Sequence, residues 1–261
     1  MKLLMITRKV DRNEHLAGFI YNWVKKLAGV VDELRVISWQ EGDSSGLPDN
    51  VKVIHLKTKQ NKLLKVISLK VAVWKNLKDV DGIFCHQMPI YTIIAAPLAK
   101  IRGKKIISWY MHRQVDMKMK LMTFLADKVL SASKESFRLP TKKLVTTGHG
   151  IDVELFNNKD KQQNNNFEII TVGRISPTKD YESMIKAVAE VENVNLRIIG
   201  EPGLQGQRGY LDALQQMIEK LNIRSRVKFL GSKPNTEIPN YLQTSDLFIN
   251  MSGTGSIDKA V

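Results

Sequence analysis

"IITVGRISPTKDYESMIKAV", residues 169–188, lays a strand, a turn and a helix end to end. An apolar run stops at Gly173, a short Ser/Pro/Thr loop follows, and Met184, Ile185, Val188 and Val191 then recur at helical spacing. Asp180 stands at the start of that helix and suits an N-cap. Arg174 and Lys179 flank the loop. Ligands of α/β sheets sit beyond the carboxyl ends of strands, and the N-terminus of the next helix offers free N–H groups and a positive dipole end there. Arginine gives phosphate a fork of donors and lysine gives it a point charge. Spacing alone leaves two readings, an anion site or two ordinary surface cations.

The same strand–helix alternation extends in both directions. Downstream it continues through "NLRIIG" (195–200), a helix around 207–222, "VKFLG" (227–231), a short helix near 236–243 and "DLFIN" (246–250). Upstream, strands are predicted at 2–7, 33–38, 51–56, 82–87, 105–110, 128–133 and 143–148, with helical patterns between most of them. In "LAGFIYNWVKKLAG" (16–29), Phe19, Trp23 and Leu27 recur at i, i+4, i+8. Strands apolar on both faces and separated by helices predict parallel sheets covered on both sides. The polar stretch "NNKDKQQNNNFE" (157–168) interrupts the alternation and reads as a linker. The expectation is an α/β protein of two doubly wound, Rossmann-like domains. They run over 1–157 and 167–261, joined by a linker at 158–166, and the second is expected to be incomplete because the sequence ends as a new helix begins.

Composition narrows the class. With 43% hydrophobic and 25% charged residues the chain reads as a soluble globular protein. One cysteine, Cys85, excludes an internal disulfide framework and favours a reducing compartment. No segment approaches the ~20 apolar residues of a membrane span, and the first apolar run is too short for a signal peptide. A cytoplasmic protein is expected. No Cys/His/Asp set has metal-ligand spacing, so neither metal nor cofactor is expected.

The net charge of +14 is lopsided. Residues 1–160 hold 28 Lys+Arg against 15 Asp+Glu, and residues 161–261 hold 12 against 11. One half therefore faces something negative, or its solvated surface is simply basic. The segment "KQNKLLKVISLKVAVWKNLK" (59–78) carries six lysines and no acid, with Leu63, Val66, Ile67, Lys70 and Trp74 in a roughly helical pattern. It reads either as an amphipathic helix lying on an anionic bilayer or as a packed helix with a solvated lysine face. "MKMKLMTF" (117–124) adds a second cationic-apolar patch. Nucleic-acid binding has only charge behind it, with no aromatic-basic platform or helix-turn-helix pattern, and is not expected.

Two further loops look ligand-friendly. "IIGEPGLQGQRG" (198–209) is rich in glycine, and "NMSGTGSIDKAV" (250–261) leaves its strand through Ser252, Gly253, Gly255 and Ser256. Small residues let backbone N–H groups approach a ligand closely. His112 and His86 sit at strand ends, and His149 in the "GHGID" turn reads as a turn residue.

Taken in order, "GHGIDVELF" (148–156), "VGRISPTKDYESMIKAV" (172–188), "LRIIGEPG" (196–203) and "VKFLGSKPNTEIPNYLQTSDLFINMS" (227–252) resemble the donor-binding domain of retaining GT-B glycosyltransferases, most like glycosyltransferase family 4. The first half is similar more loosely, through "WYMHR" (109–113) and "ADKVLSASKESFR" (126–138). The resemblance implies a nucleotide-diphosphate sugar bound in a cleft between two domains. It implies a hexosyltransferase-type enzyme passing the sugar, with retention, to a saccharide or lipid-linked acceptor of cell-envelope polysaccharide synthesis. By resemblance, Arg174, Lys179, Gly173 and Gly18 would meet the diphosphate. His112 would be the histidine beside the transferred sugar, and Lys233, Ser252, Gly255 and Ser256 would lie near the base and sugar. No side-chain base is implied, because the leaving phosphate is thought to help deprotonate the acceptor, and two cations with a helix N-terminus could bind the diphosphate without metal. One departure stands out: the family commonly carries a glutamate where this chain has Gly255. The alternative is an inactive, truncated or degenerate transferase serving as a membrane- or partner-binding module.

Overall fold

The computed structural model describes residues 1–14, 18–57, 61–112, 114–156, 166–203 and 205–252. They divide into two compact units, Met1–His149 and Gly150–Val261. Apart from Asn166, the linker expected at 158–166 lies outside the described residues.

The first unit is built on β1 (Lys2–Lys9), β2 (Glu33–Gln40), β3 (Val51–His55), β4 (Gly82–His86), β5 (Lys105–Trp109), β6 (Lys128–Ser131) and β7 (Leu144–Thr146). They form one parallel sheet in the order β3-β2-β1-β4-β5-β6-β7. The connections include α1 (Phe19–Ala28), α2 (Lys62–Asn76), α3 (Pro89–Ile101) and α4 (Met117–Leu125). Strand β1 explains why its sequence is apolar without alternation. Leu4 and Ile6 pack with Leu69, Val73 and Tyr91 of α2 and α3, while Met5 packs with Ile20 and Val24 of α1 on the other face. All three are fully buried, each worth about 1.5–3 kcal/mol.

Two helices turn faces other than their sequence periods suggest. In α1 the buried line is Ile20, Val24 and Ala28, leaving Trp23 and Leu27 partly buried and Phe19 exposed. In α2 the buried line is Lys65, Leu69 and Val73, so Leu63, Ile67 and Trp74 face outward. Lys65 is buried because its ammonium sits 5.1 Å from the Trp39 ring centre, where the π face replaces water. The lysine stripe of α2 is therefore one charge shorter than its sequence implies. Helix α4 ends against Lys143, whose ammonium donates to the carbonyls of Thr123, Phe124 and Ala126 at 3.0, 2.7 and 2.7 Å. These are the carbonyls a helix C-terminus leaves without partners.

The second unit is built on β8 (Phe167–Val172), β9 (Val194–Ile199), β10 (Val227–Phe229) and β11 (Leu247–Phe248), all parallel in the order β10-β9-β8-β11. Helices α5 (Tyr181–Glu190) and α6 (Arg208–Lys220) cover one face through Tyr181, Ile185, Leu214 and Ile218. On the other face α7 (Ile238–Gln243) and Phe156 pack with Ile170 and Ile199. Val191, predicted on the buried side of α5, lies one residue past the helix in extended backbone and is exposed. Arg226 plays the part of Lys143 here, donating to Val188, Ala189 and Val191 carbonyls at 2.9, 3.4 and 2.6 Å.

Strand order reverses between β1 and β4 in the first unit and between β8 and β11 in the second. Such switch points open a crevice at the carboxyl edge of a doubly wound sheet. The loop carrying Arg174 and Lys179 leaves β8 at one of them.

Candidate anion-binding site

The site begins with backbone. Gly173 donates to the Ile199 carbonyl at 2.9 Å, Ile175 to the Glu201 carbonyl at 3.0 Å, and Gly200 to the Gly231 carbonyl at 2.9 Å. The loops after β8, β9 and β10 are thereby fastened into one rim. Gly200 has φ +145, and a Cβ there would stand 1.9 Å from the Gly173 oxygen. No other residue fits that approach. Below the rim, the fully buried Tyr181 donates its hydroxyl to the Gly173 carbonyl at 3.0 Å. Burial pushes that phenol up to about 12, so it stays a donor. Asp180 takes left-handed backbone and accepts from the Ser183 N–H at 3.3 Å, capping α5 as its sequence position predicts.

On this frame the two cations converge. Lys179 lies over Gly173, where a Cβ would be 3.4 Å from its Cε and 3.8 Å from its Nζ. The Arg174 stem folds over Gly203, where a Cβ would be 2.8 Å from Cδ and 3.5 Å from Nη1. Glycine at 203 thus gives the arginine its seat. The half-buried Lys179 has its pKa lowered, first by burial and second by the charge of Arg174. Among the described residues no carboxylate lies within ion-pair distance of either cation. Two like charges held together with no counter-ion among the described residues, beside a helix N-terminus, form a site that an anion relieves.

The other expected site residues are distributed as follows. Lys233 leaves β10 on the same rim, with its ammonium 5.8 Å from the Tyr241 ring centre. Ser252 follows β11 across the switch point and donates from N and Oγ to the Asn250 side chain at 3.1 and 2.5 Å. Gly255 and Ser256 lie outside the described residues. His112 and Gly18 belong to the first unit. His112 is exposed three residues beyond β5, and its Nδ1 accepts from the Gln114 N–H at 3.1 Å. The neutral ring then carries its proton on Nε2, free to donate outward. Gly18 starts α1 with helical backbone, and a Cβ would stand 2.4 Å from the Glu14 carbonyl oxygen.

His86 is structural. It is fully buried at the end of β4, its Nδ1 is 3.0 Å from the Thr7 hydroxyl, and its ring centre is 4.9 Å from that of Trp23. Burial holds its pKa down near 3, so it stays neutral. Among the described residues no group of three His, Cys, Asp or Glu side chains could hold a metal ion.

Sequence reasoning missed three supports of the rim. Tyr181, the first residue of α5, was not singled out in the sequence. Gln207 accepts from the Gly203 N–H at 3.0 Å, and Glu201 accepts from the Ser232 N–H at 3.4 Å. The Gln207 bond closes within one loop, four residues apart, whereas the Glu201 bond joins loops that meet only in the folded unit.

Comparison with known proteins bears on the same region. Residues 152–256 match the family model described as glycosyl transferases group 1. The D-inositol 3-phosphate glycosyltransferase of Mycobacterium ulcerans is 30% identical over 106 residues, which is 38% of this chain and 23% of that protein. The lipopolysaccharide core biosynthesis glycosyltransferase LpsD of Rhizobium meliloti is 31% identical over 83 residues, 32% of this chain and 22% of that one. The matched stretches thus span less than a quarter of these relatives. Among solved structures, Anabaena Alr3699/HepE in complex with UDP superimposes with a TM-score of 0.76 at 20% identity, covering 97% of this chain and 74% of that one. Sucrose-phosphate synthase from Thermosynechococcus elongatus gives 0.70 at 13% identity, covering 95% and 74%. The fold is the GT-B type, two Rossmann-like α/β units, and the group 1 glycosyltransferase signature lies on the unit that carries Arg174 and Lys179.

Proposed function

We propose that this chain is part of a group 1 glycosyltransferase of the family 4 type, moving a sugar from a nucleotide-diphosphate donor to an acceptor with retention of configuration. The observation that carries the reading is the unneutralised Arg174–Lys179 pair on the rim after β8, inside the region matching the group 1 model. The same pair speaks against a degenerate module that has lost its donor site.

In this reading Arg174 and Lys179 take the two phosphates, and Gly173 lets the donor approach the backbone. As the sugar–phosphate bond breaks, negative charge grows on the departing diphosphate, and preorganised cations stabilise it most at that moment. The pair performs the neutralisation a divalent ion performs elsewhere, so the reaction is proposed to need no metal. The freed phosphate oxygen takes the acceptor proton, which leaves no task for a side-chain base. His112 is assigned to the transferred hexose by resemblance alone. Lys233 borders the base, with Ser252, Gly255 and Ser256 toward the ribose and sugar. Gly18 is assigned beside the diphosphate by resemblance alone. The acceptor is proposed to be a saccharide or lipid-linked saccharide of the cell envelope, held by the first unit. A glycosyltransferase named for lipopolysaccharide core biosynthesis among the relatives supports that choice.

The test is a panel of UDP-, GDP-, ADP- and TDP-sugars titrated calorimetrically into the protein without added metal. Binding of one base class, unchanged by a chelator, is expected, as is retained anomeric configuration in the product by proton NMR. No binding across the panel would overturn the reading.

A further inference from the structure

The first unit carries a surface that the donor site does not use. Helices α2, α3 and α4 lie side by side on one face of its sheet, α2 against α3 and α3 against α4. Between them they contain seven lysines and no carboxylate: Lys62, Lys65, Lys70 and Lys75 on α2, Lys100 on α3, and Lys118 and Lys120 on α4. Six of the seven lie outside the core, Lys65 being the buried one.

Large apolar side chains stand exposed among these cations. Leu63 is 70% exposed on α2, Ile101 71% on α3, and Met117 and Phe124 74% and 73% on α4. Two cation–ring contacts join the helices into one surface. The Arg102 guanidinium sits 4.1 Å from the Trp74 ring centre, and the Lys100 ammonium 5.9 Å from that of Phe124. Exposed apolar groups of this size, several together on adjoining helices, mark an interaction face.

We propose that this three-helix face docks on an anionic lipid bilayer, with Leu63, Trp74, Ile101 and Phe124 entering the headgroup–acyl boundary and the lysines on the lipid phosphates. The chemistry selects a bilayer over a protein partner. Apolar and cationic groups are interspersed along three separate helices, so an occupant must offer negative charge and hydrocarbon everywhere along that face. A bilayer does this without a matching shape. Lysine stems lie along apolar surface while their ammoniums reach the phosphates, and Trp74 beside Arg102 suits the interfacial layer. The proposal does not depend on the donor site, and none of its residues belongs to it.

The test uses the whole protein and vesicles of phosphatidylcholine with and without phosphatidylglycerol. Cosedimentation with the anionic vesicles and not with the neutral ones is expected, weakening as salt rises. Exchanging Lys70 and Lys118 for Gln should weaken binding roughly 25-fold, about fivefold per lysine, with nucleotide-sugar affinity unchanged. Brominated acyl chains should quench the protein's fluorescence on binding, and Trp74→Phe should remove most of that quenching. Equal binding to neutral vesicles, no binding to anionic ones, or capture by an acidic protein with no vesicle binding would each overturn the proposal. So would an unaltered affinity in the double Gln variant.

Discussion

The two switch-point loops treat a lysine in opposite ways. At the end of β1, Lys9 bonds Asp11 and Glu14 of the following loop at 2.8 and 2.9 Å, and Arg8 lies 3.9 Å from Glu14. The Lys9 pKa is raised, first by the hydrogen bond to Asp11. After β8, Lys179 has no such partner among the described residues, faces Arg174, and has its pKa lowered by burial and then by that arginine. Both loops leave the first strand of a Rossmann-like unit at the point where strand order reverses. A cation already neutralised by its own chain has little left for a ligand, whereas one held against another cation is better off with an anion. Position in the fold alone therefore does not make a phosphate site; the lack of a carboxylate partner among the described residues does.

The largest expected effect breaks that asymmetry directly. Replacing Arg174 and Lys179 together by Ala should lower nucleoside diphosphate affinity about a thousandfold, at roughly 1.5–3 kcal/mol for each charged hydrogen-bonding group. Lys9→Ala should leave it unchanged. Calorimetry on both variants checks the pair. Next, Gly200→Ala drives a methyl group onto the Gly173 carbonyl. It should cost about 1–3 kcal/mol in strain alone and weaken diphosphate binding as the rim shifts. Denaturant melts with ligand titration measure both.

The helix caps offer a case in which the units should behave alike. Lys143→Met and Arg226→Met each strip three carbonyls of their donor, and each should cost about 1–2 kcal/mol. A cost confined to one unit in hydrogen-exchange protection would make the two caps unequal. The smallest effect is in pH. Lys179 loses its charge before an ordinary lysine does, so diphosphate affinity should begin to fall on the alkaline side below the usual lysine value of 10.5. Lys9, with its pKa raised, holds its charge through that range. Lys179→Arg should flatten the fall, because a guanidinium stays charged there.

Much of the fold was legible because parallel strands buried on both faces leave unbroken apolar runs. The seven strands expected in the first half each contain or overlap an observed one, and "VGRISPTKD" placed Arg174 and Lys179 in the loop after a strand while leaving two readings of them open. What was not legible depends on contacts distant in sequence. Helix α2 is apolar around most of its circumference, so its period did not reveal which side Leu69 and Val73 would bury. Nor did sequence disclose that Gly203 seats the Arg174 stem or that Tyr181 braces the Gly173 carbonyl, since loops from separate strands meet only in the folded unit. The cations were readable, but the absence of a neutralising carboxylate among the described residues was not.

That absence is measurable. With lysine labelled at 13Cε and the Lys179 signal assigned by its loss in Lys179→Arg, its titration can be followed with and without inorganic pyrophosphate. The account predicts a pKa below that of the protein's exposed lysines in the free state, rising when pyrophosphate is added. An ordinary pKa that pyrophosphate leaves unmoved would contradict it.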